Sequence, residues 1–92
     1  MRFEWDDEKA ASNLEKHGVS FGEATEVFYD PNALEGYDTR HSMNEARFFI
    51  IGLSSRRLLY VVYAEREGET IRIISARRAV QKEQEDYEQK RD

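Results

Sequence analysis

Three strand-like runs joined by very short connections fill the second half of the chain, and they constrain its fold more than any other feature. Aromatic and β-branched residues are concentrated in residues 46–53, 58–64 and 70–77. Residues 54–57 separate the first two runs, and residues 67–69 separate the last two. Connections this short join strands that run in opposite directions. The sequence therefore predicts an antiparallel meander.

Other parts of the chain must cover this sheet. Residues 46–53 and 58–64 are apolar at nearly every position, so both sheet faces must be at least partly covered. Residues 33–35 can add a short edge strand. The prediction is a sheet of three or four antiparallel strands with helices packed against it.

Two helices are predicted before the sheet, after a short strand at Phe3-Glu4-Trp5. The first covers residues 7–17, with Asp6 or Asp7 as its N-cap, acids in its first turn, cations in its last turn and Gly18 at the C′ position. Ser20-Phe21-Gly22-Glu23 is a capping box, in which the serine caps the second helix and the glutamate reaches back to it. Pro31 ends this helix, because proline disfavours helical geometry in the residue before it.

A final helix is predicted over residues 80–90. Its apolar residues, Val80 and Tyr87, are sparse, so it docks along a narrow seam or on another chain. With 92 residues the chain has room for one domain, residues 1–92. The order of strand, two helices, sheet and helix predicts an α+β sandwich of helices against a sheet.

Composition excludes several classes of function. The absence of cysteine excludes disulfides, thiolate metal sites and cysteine nucleophiles. His17 and His41 lie too far apart in sequence for a zinc motif, so no metal or other cofactor is expected. No apolar run approaches the roughly 18 residues of a membrane span, and the N-terminus lacks the apolar stretch of a secretory signal. A cytoplasmic location is expected.

Charge is distributed unevenly along the chain. The net charge is −5, yet residues 40–78 contain eight arginines against four acidic residues. The planar fork of arginine suits bidentate contacts with phosphate. These arginines therefore indicate a phosphate-binding surface or, alternatively, a solvated sheet face with paired charges.

Three ordered stretches resemble the BrnT family, which belongs to the wider RelE-like toxin group. They are Phe3-Glu4-Trp5-Asp6 with Lys9 and Asn13, then Lys16-His17-Gly18-Val19-Ser20-Phe21 with Glu23-Ala24 and Val27-Phe28, and finally Arg72-Ile73-Ile74-Ser75-Ala76-Arg77-Arg78-Ala79 with Glu83 and Tyr87. None of the pieces is specific alone, but the ordered set covers nearly the whole chain.

The resemblance implies a RelE-like fold and a ribonuclease activity. BrnT-like proteins are bacterial toxins that cleave RNA, and so arrest translation, without needing the ribosome as a scaffold. A BrnA antitoxin with a ribbon-helix-helix DNA-binding part neutralises them, in a complex of paired toxin and antitoxin chains that represses its own operon. RNA is then the expected substrate, and operator DNA is contacted only through the antitoxin. Two alternatives stay open: a catalytically inactive RelE-like module acting only in the repressor complex, and a nucleic-acid-binding domain with no toxin role.

Metal-independent RNA cleavage defines the chemistry to look for. It needs a base for the 2′-hydroxyl proton, a cation for the charge developing on the phosphate, and an acid for the leaving 5′-oxygen. RelE-like enzymes supply these groups from scattered lysine, arginine, tyrosine and histidine residues. The predicted catalytic residues are Lys16, His17, Arg47, Tyr63, Arg66 and Arg77, and the predicted RNA-binding residues are Arg40, Arg72, Arg78 and Tyr87.

Several of these residues also have a structural interpretation. Imidazole titrates near neutral pH, but a histidine before a C′ glycine, such as His17, can instead bind the last carbonyls of its helix. Tyr63 and Tyr87 can donate a proton or stack on a base, or they can pack in the core.

Strand alternation predicts which arginines share a face. It groups Arg77 with Ser75, Ile73 and Ile71, and it groups Arg78 with Ala76, Ile74 and Arg72. Arg47 and Arg66 belong to neighbouring strands, so we expect Arg47, Arg66 and Arg77 to form a phosphate-stabilising cluster. The alternative is cross-strand pairing with Glu65 or Glu83.

Overall fold

A mixed sheet organises the computed structural model of the chain, which describes residues 1–38 and 45–91. Within these residues five strands lie in the order β1-β5-β4-β3-β2. The strands are β1 Arg2–Glu4, β2 Leu34–Tyr37, β3 Phe48–Leu53, β4 Leu58–Arg66 and β5 Thr70–Arg78. Pairing is antiparallel from β2 through β3 and β4 to β5, which confirms the predicted meander.

The N-terminal strand joins the same sheet, which therefore has one strand more than the meander predicted. β1 pairs in parallel with β5, with Phe3 opposite Ile71. These two strands are far apart in the sequence, so no short connecting loop indicates that they pair. The α+β class is confirmed, and the sheet is mixed instead of purely antiparallel.

Three α-helices accompany the sheet in the described part of the chain. They are α1 Asp7–His17, α2 Phe21–Glu26, which continues into a single 3₁₀ turn Val27–Tyr29, and α3 Gln81–Arg91. None of them is long and apolar enough to cross a membrane.

The predicted caps of the first two helices are present. The Asp6 side chain accepts a hydrogen bond from the Lys9 N–H at 3.0 Å, and Ser20 Oγ accepts one from the Glu23 N–H at 3.0 Å. At the end of α1, Gly18 adopts a φ of 69°, a left-handed conformation that favours glycine. Its N–H donates to the Leu14 carbonyl at 2.9 Å, which closes the last turn.

The prediction that Glu23 reaches back to the cap of its helix is wrong, because its carboxylate binds other partners. Arg57 donates to it through Nη2 at 2.9 Å and Nε at 3.1 Å, and the Ser54 hydroxyl donates at 2.7 Å. Arg57 also donates to the Gly18 carbonyl at 2.8 Å. Glu23 is buried, and the Arg57 hydrogen bond holds the pKa of its carboxyl below the ordinary value. The pair therefore fastens the β3–β4 loop to the two N-terminal helices.

Replacing Glu23 with glutamine should destabilise the fold most at neutral pH. A carboxyl whose pKa is lowered by folding contributes stability above its ordinary value of 4.5, and loses it as the pH falls through the folded value. We expect Glu23→Gln to lower the free energy of unfolding by about 1–3 kcal/mol at neutral pH. Urea unfolding at a series of acidic pH values should show that the difference in free energy of unfolding between Glu23→Gln and the wild type becomes smaller as the pH falls. The exposed Glu15→Gln serves as the control. A difference that does not change with pH would contradict the ion-pair assignment.

One face of the sheet, here called the inner face, packs on α1 and α2. Its residues and those of the helices form a single core of buried side chains: Val19, Phe21, Ala24, Val27, Ile50, Leu59, Val61, Tyr63, Ile73 and Ala76. The opposite face, here called the outer face, carries Phe49 on β3, Tyr60 on β4, and Ser75 and Arg77 on β5. Helix α3 contacts β2 and β3.

A β-bulge in β5 changes which side chains share a face. Val62 pairs with Ser75, but the next residue, Tyr63, pairs with Ile73, so Ile74 is an extra residue on β5. The alternation of faces therefore shifts by one position, and the predicted grouping is wrong for the residues that precede Ser75 in β5. Ile73 lies on the inner face with Ala76, and Arg72 lies on the outer face with Ser75 and Arg77.

Helix α3 docks on its own chain through polar contacts and one buried ring. Tyr87 is 3% exposed and donates its hydroxyl to Asp30 Oδ2 at 2.6 Å. Lys90 donates to the Ala33 carbonyl, and the first turn binds Arg77 through Glu83. This is the narrow seam that the sparse apolar residues predicted.

Candidate functional site

A groove of about 210 Å³ lies between α1 and the bulged segment of β5. Residues one helical turn apart on α1 supply one wall, and the bulged segment of β5 supplies the other. The side chains that line it are Lys9, Ser12, Asn13, Lys16 and His17 from α1 with Ile74 and Ser75 from β5. Two predicted catalytic residues, Lys16 and His17, are therefore neighbours in the same depression.

Asn13 holds the two walls together, a role that was not predicted from the sequence. Its side-chain amide donates to the Ala76 carbonyl at 2.8 Å and to the Val19 carbonyl at 2.9 Å. The Ala76 N–H donates back to Asn13 Oδ1 at 3.1 Å. Asn13 thus pairs with the edge of β5 as a neighbouring strand would, beyond the end of β1. A buried asparagine within the short apolar stripe of α1 was the available signal.

The side chains of Lys16 and His17 are not engaged by the described parts of the chain. Within residues 1–38 and 45–91, neither the Lys16 ammonium nor the His17 ring makes a hydrogen bond or ion pair. The His17 ring therefore does not cap α1, and the Gly18 N–H closes the last turn instead. Both side chains are exposed and free to meet an anionic ligand.

Arg77 lies outside this groove, on the outer face of the sheet. It follows Ser75 by two positions on the same face, about 7 Å further along the strand. Its guanidinium lies 4.3 Å from the centre of the Tyr60 ring. Nη1 and Nη2 donate to the two Glu83 carboxylate oxygens at 2.9 and 2.8 Å. The Glu83 hydrogen bonds raise the pKa of Arg77, so the guanidinium stays charged.

The pairing with Glu83 leaves part of the guanidinium available. Nη1 also donates to the Arg78 carbonyl at 3.2 Å, which accounts for both of its hydrogens. Among the described residues, nothing accepts from Nε or from the second hydrogen of Nη2. These two donors lie on the same edge of the planar group, which is a geometry that binds phosphate in a bidentate manner. Arg77 can therefore keep its ion pair and bind a phosphate at the same time.

The predicted cluster of Arg47, Arg66 and Arg77 does not form. Tyr60 is opposite Arg77, and Arg66 lies six positions further along β4, about 20 Å away. Arg66 instead forms an ion pair with Glu45 at 3.0 Å. Arg47 precedes β3 and lies at the same end of the sheet as Arg66. The prediction failed because it placed three residues on neighbouring strands without knowing the register of those strands.

The predicted RNA-binding arginines are dispersed. Arg72 binds Glu4 at 2.9 Å on the outer face, beside β1. Arg78 is exposed at the end of β5, on the opposite face from Arg77. Arg40 lies outside the described residues.

The two predicted tyrosines are packing residues. Tyr63 is 5% exposed on the inner face, with Phe28 and Phe48 in ring contact. Burial, with the charges of Glu35 and Glu65, raises its pKa to about 12. Tyr87, on α3, is 3% exposed. Both rings are thus packed in the way that the structural interpretation of these tyrosines expected, whereas the catalytic role of Tyr63 and the RNA contact of Tyr87 stay predictions.

Comparison with known proteins places these features in a family context. Residues 5–83 match the model of the family described as the ribonuclease toxin, BrnT, of type II toxin–antitoxin systems. The crystal structure of the Brucella abortus ribonuclease toxin BrnT is similar to this chain, with a TM-score of 0.68 and 25% sequence identity. The similarity covers 88% of this chain and 99% of that one. No curated protein matched the sequence.

Proposed function

Because this chain belongs to the BrnT family of ribonuclease toxins of type II toxin–antitoxin systems, we propose that it cleaves RNA by metal-independent acid–base chemistry. Two observations support this proposal. The groove beside β5 holds the His17 ring and the Lys16 ammonium, which has no partner among the described residues, and further along β5 the guanidinium of Arg77 keeps one edge without an acceptor there.

Lys16, His17 and Arg77 each have a role in the proposed reaction. The 2′-oxygen of a ribose attacks the adjacent phosphorus and the 5′-oxygen of the next nucleotide leaves, which gives a 2′,3′-cyclic phosphate and a 5′-hydroxyl. His17 takes the proton of the 2′-hydroxyl and delivers a proton to the leaving 5′-oxygen. The Lys16 ammonium and the Nε and Nη2 edge of Arg77 bind the phosphate and stabilise the charge that develops on it.

An antitoxin is the proposed partner. Membership of a type II toxin–antitoxin family implies such a partner, and we propose that it is a BrnA-like ribbon-helix-helix protein that forms a hetero-oligomer with this chain. Operator DNA would then be contacted through the antitoxin and RNA through the groove.

Cleavage of RNA by the purified chain in excess EDTA tests the proposal. We expect cleavage to continue in EDTA, to yield 2′,3′-cyclic phosphate ends, and to stop when the purified antitoxin is added. A substrate with 2′-O-methyl groups is the matched control, because it lacks the attacking hydroxyl. Cleavage that EDTA abolishes would contradict the metal-independent mechanism. A folded, partner-free protein that does not cleave would favour the alternative of an inert module in a repressor complex.

A further inference from the structure

Four residues form a continuous ladder across the outer face. The Phe49 and Tyr60 rings stack with their centres 5.4 Å apart and their planes 9° from parallel. The Arg77 guanidinium lies over the Tyr60 ring at 4.3 Å. At the other end, Phe49 lies against Gly36, where an added Cβ would come within 2.4 Å of the ring.

The sheet register explains why these groups meet. Tyr60 is directly opposite Arg77, and Phe49 is diagonal to Tyr60, because Phe49 pairs with Val62. Diagonal neighbours of this kind are within reach of aromatic side chains. Gly36, which pairs with Phe49, leaves space for its ring to lie across β2. The ladder therefore joins four strands, β2 to β5, and ends at the guanidinium.

We propose that Tyr60, supported by Phe49, is a positioning residue that orients Arg77 for phosphate binding. This inference rests on the proposed function. The Tyr60 ring fixes the plane of the guanidinium against the sheet, and the two Glu83 oxygens fix its rotation within that plane. With both fixed, the Nε and Nη2 edge keeps one orientation before RNA arrives. An arginine held in this way loses less conformational freedom on binding than a free one.

The test measures binding of a non-cleavable RNA as a function of salt concentration. The probe is a fluorescent single-stranded oligonucleotide with 2′-O-methyl groups throughout, and its anisotropy gives Kd. Tyr60→Leu should raise Kd about fivefold, whereas Tyr60→Phe, which keeps the aromatic face, should stay near the wild type. The slope of log Kd against log salt should fall by about 0.7 in Arg77→Ala, as expected for one lost phosphate contact with a single strand, and by less in Tyr60→Leu, where the arginine is present but is no longer held in place.

Two further variants make the outcomes distinct. Val62→Ala removes packing from the same face of β4 and should leave the salt slope unchanged, which controls for a general loosening of the sheet. In an Arg77→Ala background, Tyr60→Leu should have no additional effect.

Each result has a definite meaning. A Tyr60→Leu protein with unchanged Kd and slope, beside a weakened Arg77→Ala protein, would overturn the positioning role and leave the proposed function intact. A Tyr60→Leu effect that persists without Arg77 would overturn it as well, because Tyr60 would then contact RNA itself. A wild-type chain that neither binds the probe nor cleaves RNA would instead reject the proposed function.

Discussion

Replacing His17 with alanine is expected to lower kcat for RNA cleavage by about 10²–10⁴-fold, the usual contribution of a general acid or base. The structure supports this size of effect because the ring is exposed in the groove, and no partner within the described residues holds it in a structural role. KM should change little, since Lys16 and Arg77 remain to bind the phosphate. Single-turnover cleavage of a defined RNA measures the chemical step directly.

The control for this variant is available on the same helix. Glu15→Ala changes another exposed side chain of α1 and should leave kcat and the thermal unfolding temperature unchanged. His17→Ala should also unfold at the wild-type temperature, because within the described residues its ring makes no hydrogen bond or ion pair that would be lost. If kcat of His17→Ala equals that of the wild type, proton transfer belongs to another group and the assigned role of His17 is wrong.

Local signals in the sequence were sufficient for most of the fold. Asp6, Ser20 and Gly18 are caps whose effect reaches only a few residues, and each is present as predicted. The short connections fixed the antiparallel order of β3, β4 and β5 for the same reason. Such features depend on backbone groups close in sequence, so reading them requires no knowledge of tertiary packing.

Strand register and contacts between residues far apart in sequence could not be predicted from such local signals. The extra residue Ile74 inverts the alternation of β5, and nothing in a run of apolar and β-branched residues marks a bulge. The register of β4 against β5 also places Arg66 and Arg77 at opposite ends of the sheet. The Glu23 carboxylate binds Arg57, which is 34 residues away in the sequence, instead of the N-terminus of its own helix. In each case the outcome depends on which strand or loop arrives beside the residue.

Some residues of the candidate site could be named from the sequence, and others could not. Lys16 and His17 were predicted from residue type and position in the last turn of α1, and they do share a groove. Asn13 and Tyr60 were not proposed for the site, because their roles exist only once α1 and β4 lie beside β5. Residues that carry charge can be nominated from sequence, whereas residues that orient them require the structure.

Replacing Arg77 with alanine is expected to lower kcat by about 10²–10³-fold, which is typical of losing one preorganised donor that stabilises a transition-state charge. Arg77→Lys should recover little of this loss. A lysine keeps the charge but has no planar edge with two parallel donors, and it cannot pair with Glu83 through a fork. The exposed neighbour Arg78→Ala is the matched control, since it removes the same charge from the opposite face of β5.

The Glu83 ion pair makes a second variant necessary for Arg77. Losing Arg77 also removes an anchor of α3, so reduced activity could follow from a displaced helix. Glu83→Gln weakens the same anchor but keeps the guanidinium over Tyr60, and it should retain far more activity than Arg77→Ala. Thermal unfolding of both variants shows whether they lose comparable stability. Equal losses of kcat in Arg77→Ala and Glu83→Gln, together with equal losses of stability, would assign the effect to α3 and remove Arg77 from direct contact with the phosphate.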